Sequence, residues 1–379
     1  MAGALRRTWP DDHRRRQALS LFVAALTLLL GAVSALPSTT RAHEAALVRR
    51  VGTAVPDASA RADAATPAAA SAPAVTPPPP PAAAPPAATP PPPAAPQVPL
   101  DPARLPSGKG MWVWMPERAD GGDPAAIVAR ARAVGLSHVF VRTGSSWQGF
   151  YAQDFLNRLL PAAHAAGIRV YGWDFPNLRD WKVDAERGLA AIRYATPDGH
   201  RIDGFVADVE TRSEGVNLTG AGALAYGTYL RQGVGTGYPL IACVPRMLDL
   251  ATHRYPYAEV VAQFDAIAPM VYWMSRDPAA DVSGALDYLR QFGKPLMPVG
   301  QAYDGGPSGG PPGNPSRDAL LRFMAAAAAK GATSVSFWSW QHASQENWDA
   351  IRDAAQFRLT SALTSILPLQ LPPIVPLPH

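Results

Sequence analysis

Between about residues 109 and 357, short apolar runs alternate with stretches of helical period, and the alternation repeats eight times. The runs fall at 110–115, 137–143, 168–174, 204–210, 239–245, 266–273, 295–301 and 332–340. Strands buried on both faces read this way, as continuous apolar segments, and the amphipathic stretches between them read as crossover helices. Helices are predicted at 124–134, 155–166, 184–194, 220–232, 278–292 and 317–330, with a shorter one near 257–263 in the irregular fifth connection. Asp123-Pro124 and Pro315-Ser316 are start signals, and Gly135, Gly167, Gly293 and Gly331 follow helices as stop signals. Eight such units in about 250 residues predict an α/β fold, a closed (β/α)8 barrel over 108–358. An open doubly wound sheet would place a glycine-rich turn after the first strand. This chain has Met115-Pro116-Glu117-Arg118 there.

The flanks differ in composition. Arg6, Arg7 and Arg14 to Arg16 precede an apolar stretch over 18–36 that closes on Val33-Ser34-Ala35. Residues 1–36 are therefore expected to be a signal peptide or a membrane anchor. Residues 37–107 are Ala/Pro-rich, with proline runs at 77–81 and 90–93, and predict a disordered, extended linker. A Leu/Pro-rich tail occupies 359–379. Residues 1–35 hold five Arg against Asp11 and Asp12, so they supply +3 of the formal net charge of +4. The remainder is nearly neutral, and the pI of 9.3 is no argument for nucleic acid. The expectation is an exported protein, secreted or tethered to the outer face of the membrane or cell wall, with membrane contact only through its N-terminal segment.

Cys243 is the single cysteine, inside an apolar run, which excludes an internal disulfide and a Cys-based metal site. His138, His164, His200, His253 and His342 are scattered along the chain, and neither a metal nor a cofactor is expected.

If the barrel forms, its chemistry sits at the C-terminal ends of the strands. The fourth run ends Val206-Ala207-Asp208-Val209-Glu210, which puts Asp208 and Glu210 on one face. Two carboxylates at the end of a buried strand cost solvation energy unless they are used or paired. The other strand ends supply Trp112, Trp114, Arg142, Trp173, Asp174, Arg246, Tyr272, Trp273, Gln301, Tyr303, Asp304, Trp338 and Trp340. Sugar rings stack their CH faces on aromatics, and their hydroxyls need acids, amides and Arg at the edge. A polysaccharide or oligosaccharide is the partner this set suits. Residues 305–310, Gly-Gly-Pro-Ser-Gly-Gly, carry no Lys and read as a lid rather than a phosphate loop.

The stretch Asp203-Gly204-Phe205-Val206-Ala207-Asp208-Val209-Glu210 resembles the fourth-strand motif of the chitinase-like family 18 glycoside hydrolases. Leu240 to Pro245, Met270-Val271-Tyr272, Lys294 to Tyr303 and Phe337-Trp338 resemble that family's fifth to eighth strands in order. The resemblance implies Glu210 as general acid, Asp208 orienting an N-acetyl group that attacks the anomeric carbon, and Tyr272 hydrogen-bonding the same group. It also implies a tryptophan of the eighth strand as floor of the cleaved sugar's subsite. The chain departs from the family at Val206, where the family's middle Asp stands, and at Trp273, where it has Asp after Tyr. Some proteins with this scaffold only bind sugar. A weaker resemblance is to the family 25 lysozyme-like muramidases, which carry Asp-x-Glu on a barrel strand and a further Asp on the first strand. Three readings follow: a glycosidase acting on an N-acetylated chitin-like or peptidoglycan polymer, a non-catalytic glycan-binding barrel, and a barrel whose Asp208 and Glu210 pair with Arg142 or Arg246.

Overall fold

A computed structural model describes residues 98–246, 254–354 and 357. The expected export segment, the linker up to 97 and the tail lie outside the described residues. Eight parallel strands close on themselves. In chain order they are β1 (Gly108–Val113), β2 (His138–Ser145), β3 (Arg169–Phe175), β4 (Gly204–Asp208), β5 (Leu240–Pro245), β6 (Ala266–Val271), β7 (Val299–Gln301) and β8 (Ser334–Trp338). Each pairs with the next, and β8 pairs with β1 through Gly108↔Ser334 to Met111↔Phe337, so the sheet is a (β/α)8 barrel. A two-residue strand, Gly149–Phe150, folds back antiparallel on the end of β2.

Among the described residues, eight helices wrap the outside: α1 (Pro124–Ala133), α2 (Gln153–Ala165), α3 (Trp181–Arg193), α4 (Gly220–Val234), α5 (Tyr257–Val261), α6 (Pro278–Leu289), α7 (Arg317–Ala329) and α8 (Gln345–Asp353). The start signals hold. Asp123 caps α1 ahead of Pro124 at its first position, and Ser316 caps α7. Gly135 and Gly331 take φ values of 69° and 77° after α1 and α7, a left-handed conformation that a β-carbon would strain. Among the described residues the fifth crossover holds the short helix expected, and α8 begins with a reciprocal cap between Ser344 and Asn347.

Strand alternation divides the side chains between two cores. Val113, Val139, Val141, Val170, Phe205, Ala207, Val244 and Phe337 face outward against the helices. Trp112, Phe140, Tyr171, Trp173, Val206, Ile241, Cys243, Ala268 and Val299 fill the interior. The ten residues ahead of β1 do not behave as linker. Leu100 and Leu105 pack into the interior core, with Leu105 only 7% exposed. Tyr171 Oη donates to the carbonyl of Arg104 at 2.7 Å, and Thr236 Oγ1 to that of Val98 at 2.6 Å. The packed domain thus starts by residue 98, because two leucines in an Ala/Pro-rich context suffice to plug the barrel floor. Burying each contributes about 2 kcal/mol.

Candidate active site

β4 carries the acids upward. Val206 and Asp208 face the interior, and Glu210 follows at the rim, past the end of the strand. The Val209 amide hydrogen-bonds the Cys243 carbonyl at 3.0 Å, and the Val209 carbonyl accepts from Tyr255 Oη at 2.6 Å. The backbone before Glu210 is therefore clamped from both sides. Asp208 is 6% exposed, and its Oδ1 has no hydrogen-bond partner. Burial pushes its carboxyl up to about 7, against the opposing pull of the Cys243 thiol and the Arg142 guanidinium. Glu210 is held well above the ordinary carboxylate range by burial and then by Asp208 and Glu214. Glu214, in the turn after β4, is raised to about 8, again by burial first and then by Asp208. Three acids thus share one poorly solvated corner, and at neutral pH they cannot all be ionised.

Tyrosines complete that corner. Tyr272 and Tyr303 meet edge to face at 5.5 Å, and both have Glu210 within electrostatic range. The Tyr303 hydroxyl is buried without a partner. Across the mouth Arg142 lies over Trp173, with its guanidinium carbon 5.3 Å from the ring centroid and its Nε unpartnered. Buried polar atoms are almost always paired, so unpaired ones on β2, at the end of β4 and after β7 mark a place built for another molecule's polar groups.

The floor is aromatic. Trp338 stands 5.8 Å from Trp114, 5.4 Å from Trp173 and 6.1 Å from Trp112. Trp112 and Trp173 are buried beneath, their indole N–H groups donating to Ser336 Oγ at 2.9 Å and to the Val113 carbonyl at 3.2 Å. Trp114 and Trp338 are the partly exposed pair above them.

The structure brings Asp208, Glu210, Tyr272, Tyr303, Arg142, Trp114 and Trp338 together, over Trp112 and Trp173. Five other expected ligands face elsewhere. Asp174 points outward, where Arg187 of α3 grips both its oxygens at 2.7 and 3.1 Å while also reaching Asp184 at 2.8 Å. Trp273 packs on Phe323 of α7, one residue out of phase with Tyr272. Trp340 packs on Trp348 of α8 and donates to Asp120 Oδ2 at 3.2 Å. Arg246 is paired with Asp281 of α6 at 3.1 Å. Asp304 accepts from the amides of Gly306 and Gly313 at 2.8 and 2.6 Å, tying the glycine-rich loop to itself. The physical reason is common to Asp174 and Trp273: each follows an inward residue, and alternation turns it toward the helices. Gln301 is buried, and its side chain bridges the Met274 amide and the Tyr303 carbonyl at 3.0 and 3.3 Å, so it braces the rim.

Glu214, Cys243 and Tyr255 complete the site and were not among the expected ligands. Strand periodicity could have found Cys243, which faces inward beside Ile241. Glu214 and Tyr255 lie in irregular connections where no period applies. Two histidines that looked scattered also meet. His164 and His200 approach Nδ1 to Nδ1 at 2.9 Å by the start of β4, with His164 Nε2 3.0 Å from Asp203 Oδ2. No cluster of three or more metal-ligating side chains occurs among the described residues.

Neither a protein-family model nor a curated protein matches the sequence. Solved structures do match in fold. The endo-β-1,4-mannanase of Thermotoga petrophila superposes with a TM-score of 0.51 at 7% identity, over 66% of this chain and 76% of that one. An endo-1,4-β-mannanase of Rhizomucor miehei gives 0.49 at 8% identity, over 62% and 86%. A chitinase of Chromobacterium violaceum gives 0.48 at 14%, over 66% and 100%. The likeness to the first is one of barrel architecture, and at such identities it extends no further.

Proposed function

We propose that this (β/α)8 barrel is an exported glycoside hydrolase acting on an N-acetylated polysaccharide, chitin-like or peptidoglycan, with Glu210 as general acid. The observation that carries the reading is the pair of Asp208, at the end of β4, and Glu210, just past it, both driven toward their protonated forms by burial at an aromatic-floored mouth. A general acid at neutral pH must hold its proton until the leaving oxygen takes it. Glu210 at the rim would protonate a glycosidic oxygen. Asp208 Oδ1 is an unused acceptor, and Tyr303 Oη is an unused donor with Tyr272 beside it. Acceptor and donor together match the N–H and C=O of an acetamido group. That group, held against Asp208, would attack the anomeric carbon as Glu210 releases the leaving sugar, and water would then open the cyclic intermediate with Glu210 acting as base.

A second reading has its own support. Val206, buried beneath Asp208, offers no proton relay from below, which suits a barrel that binds glycan without cleaving it. Export rests on the basic and apolar pattern of residues 1–36 and the proline-rich linker. The deciding experiment incubates the full-length protein with chito-oligosaccharides and peptidoglycan fragments, with products followed by mass spectrometry. Cleavage supports the hydrolase, and binding without cleavage supports the second reading.

A further inference from the structure

The mouth contains a cation that its own acids leave unsatisfied. Arg142 lies on the interior side of β2, two residues beyond Phe140, and stacks over Trp173. Its Nε is buried with no acceptor. Other guanidiniums held against the barrel are committed: Arg187 to Asp174 and Asp184, Arg231 to Asp265 at 2.7 Å, Arg246 to Asp281 at 3.1 Å. Arg142 has Asp208 and Asp174 in electrostatic range, and it hydrogen-bonds neither among the described residues. Asp174 is already gripped at both oxygens by Arg187.

A guanidinium stacked on an indole keeps the donors along its edge available. Nε–H and the neighbouring Nη–H point the same way and match the two oxygens of one carboxylate. A sugar hydroxyl would satisfy only one of them. Burial raises the carboxyls of Asp208, Glu210 and Glu214, which lessens their repulsion of such a guest, and Asp174 is already matched by Arg187. The acetamido-binding groups, Asp208 Oδ1 and Tyr303 Oη, come from β4 and the segment after β7, leaving the β2–β3 side of the mouth to Arg142.

We infer that Arg142 receives a carboxylate carried by the sugar bound over Asp208, so that the substrate is an acidic N-acetylated glycan of muramyl or uronyl type. This inference rests on the glycan reading above and narrows its substrate class. It makes Arg142 a specificity-determining residue, with Trp173 holding its plane.

The test uses the full-length protein and calorimetric titration with matched probes. One is the N-acetylglucosaminyl–N-acetylmuramic acid disaccharide with a free lactyl carboxylate, and the second is the same compound with that carboxyl reduced to an alcohol. A disaccharide with an N-acetylhexosaminuronic acid in place of the muramic acid separates the two sources of the charge. Wild type is expected to bind at least one acidic probe about tenfold or more tightly than the alcohol. Arg142→Gln should remove that preference by weakening the acidic probe alone, and Arg142→Lys should keep part of it. Equal affinity of wild type for acid and alcohol overturns the inference, as does failure to bind either acidic probe. An equal loss for both probes in Arg142→Gln also overturns it, since that is the mark of a structural role. Should the Gln variant not fold, the wild-type comparison still decides. If hydrolysis fails while the preference stands, the catalytic reading falls and the subsite remains.

Discussion

Asp208 and Cys243 are register partners on β4 and β5, and the Cys243 thiol draws the Asp208 carboxyl down against the burial that raises it. A thiol is a weak donor, so it offsets little of the burial that holds the carboxyl near 7. This neighbourhood stands at the centre of a mouth where three acids meet the Arg142 guanidinium and a tryptophan floor. The following outcomes are expected of it.

Cys243→Val removes the thiol while keeping an apolar interior side chain. Since the thiol lowers the Asp208 pKa, its loss should move Asp208 upward. The limb of the pH–rate profile that reports Asp208 ionisation should shift to higher pH. An unchanged profile would show that the thiol has no hold on the acid.

The acids also make stability depend on pH in a definite sense. Asp208 and Glu214 keep protons in the folded chain up to about 7 and 8, while in the unfolded chain they release them near ordinary carboxylate values. Within that window the folded state binds more protons, so stability falls as pH rises from about 4 to about 8. Asp208→Asn should flatten the fall and raise the melting temperature at pH 8. Thermal melts at half-unit steps of pH check this, and a slope that steepens in the variant would oppose it.

Arg187 and Asp174 form a buried pair with side-chain exposures of 8% and 1%. Burial leaves Asp174 raised to about 6 despite the guanidinium. Arg187→Met would strand the buried Asp174, while Asp184 keeps Ser146 Oγ and the Leu178 amide, and should cost about 3–5 kcal/mol of stability. The measurement is denaturant unfolding at pH 7.

Tyr303 Oη is the unpartnered donor proposed for the acetamido carbonyl. Tyr303→Phe should weaken an N-acetylated oligosaccharide about tenfold and leave its de-N-acetylated counterpart nearly unaffected. Titration of both ligands tests the assignment, and equal weakening would remove Tyr303 from it.

Much of this architecture was legible in the sequence because buried parallel strands and amphipathic helices impose different periods, and eight repetitions leave few alternatives to a closed barrel. Alternation likewise placed Asp208 and Glu210 on one face. The same rule, applied one residue further, separates Asp174 from Trp173 and Trp273 from Tyr272, since each second member of the pair faces inward and its neighbour the helices. Reading strand ends as undivided sets hid that distinction. What stayed illegible lies where no period operates. Glu214 sits in a turn and Tyr255 in the fifth connection, and the joining of His164 to His200 depends on the pairing of β3 with β4, which brings α2 beside the start of β4. Leu100 and Leu105 were masked by the alanines and prolines around them.

The most direct test of the account compares full-length wild type with Glu210→Gln, which preserves shape and removes the acid. Both would be given N-acetylated oligosaccharides and peptidoglycan fragments, with cleavage followed by mass spectrometry, binding by titration and folding by thermal melt. The account predicts cleavage by wild type and a loss of several orders of magnitude in the variant, with binding kept and the melting temperature at pH 8 unchanged or higher. Equal turnover by the two proteins would contradict it.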